Sequence, residues 1–225
     1  DIAKDVAMLA GHGVSCEYWD SSRVNEALGS EGLGSGRFMP QEGLLWPAEA
    51  LATLAQQARD NGARIATGVD YLSRSRCDTD VMVQTSMGAV KSDVLVFANG
   101  ALAPTSDPYF EEKITPVRQQ MVIFEGEEPV VCGPGAHGQH GYAFFRPLPG
   151  HARRLLVGGC RWATPHMEVG ETDDSVGEAR VDARIVAFAH QHLPWTRKAN
   201  VIAGWSGLMG FSCDGLPLVG NLPGD

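Results

Sequence analysis

The chain has 225 residues and a formal net charge of −9, with 44% hydrophobic and 20% charged residues. That balance suits a soluble globular protein with one sizeable core or two smaller ones, and it argues against a nucleic-acid partner, whose phosphates require clustered positive charge. No apolar run reaches the roughly 20 residues that cross a bilayer, nothing in the opening residues is expected to be a signal peptide, and five cysteines without paired spacing fit the reduced thiols of a cytoplasmic protein.

In chain order, residues 3–12 form a short helix stopped by Gly11 and Gly13. "CEYWDSSRVNEALG" reads as a strand or turn, then a short helix capped by Asp20 or Ser21 and closed at Gly29. Gly32, Gly34 and Gly36 make a loop. Their G-x-G-x-G spacing is not the dinucleotide fingerprint, because no strand enters and no helix leaves. Pro47 opens a cleaner helix, with Leu51, Leu54, Ala55 and Ala58 on one face and Asn61-Gly62 closing it.

"ARIATGV" is expected to be a short strand, followed by a meander through "DYLSRSR", a turn at Asp78 to Asp80, "VMVQTS", Gly88 and "AVKS". "DVLVFANGA" is a continuous apolar run, which suits a strand buried on both faces. The second half changes character. "ITPVRQQMVIFEG", "YAFFRPLPG" and "RRLLVGGCRWA" read as strands, and "DDSVGEARVDARIVAFAHQHLPW" as an amphipathic helix with Ile185, Phe188 and Ala189 inward. Asp173 and Asp174 are expected at the N-terminus of that helix, where its dipole favours them. "ANVIAGWSGLMGFS" returns to strand and loop. The class is α+β.

Motif chemistry narrows the options. Neither "GWSGL" nor "GFSCDG" places glycines as a nucleophile elbow requires. Cys132, His137 and His140 lie close in sequence but lack a fourth ligand at zinc spacing, so they read as a glycine-rich loop and we expect no metal. What remains is a set of glycines at strand ends: Gly100, Gly158-Gly159, Gly207, Gly210, Gly215 and Gly220. Together they suggest backbone lying close to a flat or extended ligand, since a missing Cβ allows that approach.

The order of these segments resembles the D-amino-acid oxidase-like FAD-dependent oxidoreductases, in the branch of glycine oxidase, sarcosine oxidase and gamma-glutamylputrescine oxidase. The resemblance rests on "LLWPAEALATLAQQARDNGARIATGVDYL", "GAVKSDVLVFANGA", "ITPVRQQMVIF", "YAFFRPLPG…RRLLVGG" and "WSGLMGFSCDGLPLVGNLPG". It implies non-covalent FAD and a small-molecule amine or amino-acid substrate. It also implies hydride transfer from the substrate α-carbon to the flavin, with hydrolysis of the resulting imine. Carried over by position, Val69 meets the adenine through its backbone. Ala98, Asn99 and Gly100 end the FAD-proximal strand, while Gly207, Leu208, Met209, Gly210 and Phe211 form the loop near the flavin ring. Tyr142 and Arg146 point towards the substrate pocket as the catalytic candidates, and Asp214-Gly215 turns the chain away.

Departures from the pattern matter as well. Met209 stands where glycine oxidases carry a carboxylate-binding arginine, and Gln119 replaces a glycine beside Arg118. The resemblance implies a substrate-domain lead-in over 1–42, part of an FAD-binding domain over 43–104, a substrate-binding domain over 105–200 and a return to the flavin over 201–225. The strand–GxGxxG–helix that cradles the FAD diphosphate is not found in the sequence. We therefore expect an internal fragment of a longer oxidoreductase that alone binds FAD weakly or not at all. The alternative is a non-catalytic binding or assembly domain derived from the same fold.

Overall fold

A computed structural model describes residues 1–223 except 78, 132 and 139–141, so the expected turn at Asp78 and the Cys132 and His140 positions lie outside the described residues. It is an α+β protein of four α-helices and ten strands among the described residues. The chain divides into two compact units: 1–46 with 119–167 and 174–207, and 47–118 with 168–173 and 208–225. The division falls inside two long strands.

The first unit begins with helix α1, Ile2–Gly11, then strand β1, Glu17–Trp19. Helix α2, Ser21–Leu28, follows, and β2, Gly36–Phe38, pairs back on β1. The Asp20 carboxylate caps α2 by accepting from Arg23 N at 2.8 Å, and Gly29 ends it in the left-handed conformation. The stretch expected to be all loop thus contributes β2, stabilised by Trp19 stacked on Phe38.

The main sheet is built from β6, Ile114–Glu125; β7, Ala136–Gly138; β8, Ala143–Leu148; β9, His151–Gly159; and β10, Asn200–Ser212, in the order β10-β6-β9-β8-β7. Alternation sets its faces. Val122, Phe124, Ala143, Phe145, Leu155 and Val157 point to a buried core, against Val181, Ile185, Phe188 and Ala189 of helix α4, Ala179–His192. Residues 207–211, expected to be a loop, lie inside β10. The reason is a ladder along β6, which holds glycines in extended backbone that they would not choose alone.

Helix α4 starts later than its sequence suggests. Glu178 is its N-cap, and Asp173 and Asp174 lie outside the first turn. The fully buried Gln120 amide fixes that start. It accepts from Glu178 N at 2.6 Å and donates to Glu178 O at 3.1 Å and to Asp182 Oδ1 at 2.5 Å. One side chain of the sheet therefore specifies where the helix begins.

The second unit holds α3, Pro47–Asp60, and a meander of β3, Tyr71–Cys77; β4, Asp80–Thr85; and β5, Gly88–Ser92. Two expected strands are absent: residues 63–69 and the apolar run at 93–99 have no regular structure. A strand exists only where a neighbour takes its N–H and C=O groups, and no named strand pairs with either run among the described residues. Val94 and Val96 are 70% and 76% exposed instead of buried. Leu95 and Phe97 are half-buried, and Phe97 packs edge-on to Tyr71 and Phe110. Arg118 and the buried Glu168 form a tight ion pair, with Nη2 to Oε2 at 2.6 Å.

Strand β9 ends on two consecutive left-handed residues, Gly159 at φ 112° and Cys160 at φ 60°. A Cβ on Gly159 would lie 2.1 Å from the Tyr142 carbonyl oxygen. Gly159→Ala is therefore expected to lower stability by about 2–5 kcal/mol, combining backbone strain with overpacking. An unchanged denaturant midpoint would show that the turn relaxes freely. Cys160 is fully buried, and burial pushes its thiol up to about 12. Under native conditions a thiol reagent should modify the exposed Cys77 and Cys213 but not Cys160, which peptide mapping of the labelled protein would test.

Candidate functional site

On the face of the main sheet opposite α4, β8 presents Phe144 and Arg146, and Tyr142 stands just before the strand in step with them. None of the three belongs to the buried core cluster. The face is flattened at Gly158, where a Cβ would meet the Phe144 ring at 2.4 Å and the Met121 side chain at 2.8 Å. Phe144 can lie across β9 only because that side chain is missing.

Tyr142 is 37% exposed, edge-on to Trp162 with ring centroids 6.4 Å apart. The Arg161 guanidinium carbon lies 5.3 Å from the centroid of the same ring, a cation–π geometry. Arg161 begins the 3₁₀ turn Arg161–Ala163 that follows the left-handed pair. That pair breaks the pleat, so the Cys160 side chain falls into the core and the next residue returns to Tyr142. The Cys160 N–H donates to the Tyr142 carbonyl at 2.6 Å, which ties the two segments together. Arg161 also donates from Nη1 to Met167 O at 3.2 Å. Burial lowers its pKa, while the nearby Tyr142 works in the other direction.

Arg146 is engaged with the chain itself. Its Nη1 donates to Leu45 O at 2.6 Å, and its guanidinium lies 5.3 Å from the Trp46 ring centre. It braces the segment entering α3.

In the second unit, a cavity of about 470 Å³ is lined by Phe97–Gly100, Ala103, Phe110, Ile114, Gly210, Ser212 and Gly215–Leu218. Three of the expected cofactor residues, Ala98, Asn99 and Gly100, thus meet a fourth, Gly210. Gly100 adopts φ 52°, and a Cβ on Gly210 would lie 3.0 Å from Ala101 N and Cα. Asn99 Nδ2 donates to Ser106 Oγ at 2.5 Å and to Leu102 O at 3.3 Å, so its amide is held against the 3₁₀ turn Gly100–Thr105. Cys213 N donates to Lys113 O at 2.9 Å, and the Asp214 carboxylate accepts from Leu216 N at 3.0 Å to turn the chain around Gly215.

The remaining expected positions are not brought to this cavity. Gly207, Leu208, Met209 and Phe211 are on β10, and Val69 lies in the irregular stretch before β3. Tyr142 and Arg146 belong to the other unit. Sequence reasoning missed Arg161, Trp162 and Gln120. The available signal was the Gly158-Gly159 pair with an arginine and a tryptophan close behind. Among the described residues no group of three or more His, Cys, Asp or Glu could hold a metal ion, and no helix is long and apolar enough to cross a membrane.

Comparison with known proteins places these features in a family. The chain is 24% identical over 206 residues to the glycine oxidase of Geobacillus kaustophilus strain HTA426, covering 91% of this chain and 52% of that protein. The crystal structure of glycine oxidase from Geobacillus kaustophilus matches with a TM-score of 0.84 at 20% identity, over 99% of this chain and 58% of that one. The L-proline dehydrogenase structure from P. horikoshii matches at 0.80 and 16% identity, over 98% and 59%. The chain therefore spans about half the length of the curated relative it matches. The family model for FAD dependent oxidoreductases matches residues 1–225, and the chain belongs to that FAD-dependent family.

Proposed function

We propose that this chain supplies the substrate-binding part and one wall of the flavin site of an FAD-dependent oxidoreductase acting on an amine or amino acid. The observation that carries this is the meeting of Ala98, Asn99 and Gly100 with Gly210 in one cavity, from segments far apart in sequence. Its lining is backbone, apolar side chains and small polar groups, with Gly100 leaving open space where a Cβ would stand. Such a surface fits a flat, largely apolar ring system. It carries no positively charged side chain, so the FAD diphosphate belongs to a different segment.

We assign that segment to a strand–glycine loop–helix unit outside these 225 residues. The half-length match to glycine oxidase supports this. So does α3, which buries none of its residues and leaves Leu51 and Leu54 69% and 62% exposed. A helix of this length draws most of its stability from packing an apolar face, and here that face awaits a covering layer. Val94 and Val96 ask for the same cover.

FAD supplies the acceptor for the electrons and hydrogen removed at the substrate carbon–nitrogen bond. The chain's own residues bind and orient. The Tyr142 hydroxyl contacts a polar group of the substrate, Phe144 provides the apolar floor over Gly158, and Arg146 braces the Leu45–Trp46 segment.

The longer protein that contains this chain, purified with FAD supplied, should keep an absorbance near about 450 nm through desalting. A panel of amines and amino acids should then yield peroxide or reduce a dye. Tyr142→Phe should lower kcat/KM about tenfold, the value of one hydrogen bond, and keep the flavin content. A colourless protein would support the non-catalytic assembly domain instead. Equal loss of flavin and turnover in Tyr142→Phe would move that residue from substrate contact to fold support.

A further inference from the structure

We propose that a small cavity beside the first turn of α4 binds a short alkylammonium ion, whose charge the Asp182 carboxylate takes and whose chain the Trp205 indole covers. This site shares no residue with the cavity around Asn99 and Gly210, and it does not rest on the oxidoreductase function.

Gln120, Asp174, Gly177, Asp182, Trp205 and Ser206 line a cavity of about 200 Å³ in the first unit. Two contacts hold its walls. Ser206 Oγ donates to Asp174 O at 2.7 Å, which ties β10 to the segment before α4. Gly177 lies against the Gln120 amide, where a Cβ would come within 2.9 Å of Nε2. Drug-sized ligands occupy pockets of about 300–1,000 Å³, so the occupant here is smaller.

Charge selects its sign. No lysine or arginine side chain lines the cavity. Elsewhere the chain pairs its acids with cations, as Glu168 with Arg118 and Glu125 with Arg154. Asp182 stands in the first turn of α4, where the helix dipole favours a negative charge. Among the described residues its carboxylate meets only the Gln120 amide. A carboxylate offers about four lone-pair sites, so it has capacity for an ammonium donor as well.

The aromatic wall adds the second half of the match. Trp19 is stacked on Phe38 under Arg23, Trp46 faces Arg146, Trp162 meets Tyr142, and Trp195 donates to Glu128 O. Trp205 is 41% exposed and has no aromatic, cation or hydrogen-bond partner among the described residues. Indole is the best ring for a cation, and its apolar face suits a methylene stem. A carboxylate and an indole open in one cavity complement a cation with an apolar tail. A ligand with a carboxylate of its own would face Asp182 with no lining cation to offset the repulsion, which favours plain amines over amino acids.

Titration of the 225-residue chain tests this at constant ionic strength. Butylammonium chloride should shift the assigned Trp205 indole N–H and Gly177 amide resonances saturably, whereas 1-butanol and butyrate should leave them in place. No saturable shift, or equal shifts with butanol, overturns the proposal. Binding of 4-aminobutyrate should be weaker, and equal or tighter binding would remove the preference for plain amines. Tighter binding of Nα-acetyl-lysine N-methylamide would overturn the assignment to a free amine in favour of a peptide lysine. Asp182→Asn, which keeps an acceptor for Gln120, should weaken butylammonium about 10- to 100-fold, as loss of a charged hydrogen bond implies. Trp205→Leu, which leaves the Gln120 contacts in place, should weaken it about 2- to 5-fold, read at Gly177. Unchanged affinity in either folded variant overturns the site.

Discussion

The end of β9 is the constraint around which the first unit is organised. Gly159 presses its backbone against the Tyr142 carbonyl, and Cys160 turns left-handed immediately after it. Three consequences follow from that single contact. The β8–β9 ladder stays in register up to Ala143 and Gly159, the Cys160 thiol joins the core, and Arg161 arrives at the Tyr142 ring. A side chain at 159 would disturb core, register and candidate site together. A Cβ there would meet the Tyr142 carbonyl, while the next residue, Cys160, is left-handed and buried.

Polar groups do the positioning elsewhere, and each is satisfied. Among the described residues no buried side-chain nitrogen or oxygen lacks a hydrogen-bond partner. Gln120 is the clearest example, since its amide reads both the N–H and the carbonyl of Glu178 and so sets the first turn of α4. Arg118 plays a similar part in the second unit. Its backbone N–H donates to Glu168 O at 3.1 Å while its guanidinium holds the Glu168 carboxylate. A buried ion pair of this kind adds little net stability over an apolar pair, but losing one partner strands the other charge. Its value here is register: it fixes the 168–173 segment beside the start of β6, where Val117 bridges Val169.

The two units differ in how well they bury themselves. The first closes a core of aromatic and branched side chains between sheet and helix. The second buries Val83, Ala101, Ala103, Phe110 and Val117, with ring contacts among Tyr71, Phe97 and Phe110, and leaves Leu51 and Leu54 of α3 and Val94 and Val96 exposed. An apolar run stays irregular where no described strand takes its backbone groups, which is why residues 93–96 do not form a strand.

Local chemistry alone was enough to determine much of this protein. Asp20 and Gly29 delimit α2, Pro47 opens α3, and the alternation of β4, β6 and β8 follows from side chains that must face in or out. The strand-end glycines and the motif order also carried the FAD-dependent family. Only the tertiary structure decided the rest, because it depends on partners distant in sequence. Residues 63–69 and 93–99 have strand composition but no described neighbour to accept their hydrogen bonds, while residues 207–211 look like a loop yet are held extended in β10. Gln120 moves the start of α4 past two acids that seemed to cap it. Arg161, unremarkable in the sequence, becomes the cation at the aromatic pair because one glycine touches one carbonyl, a contact that no local pattern encodes.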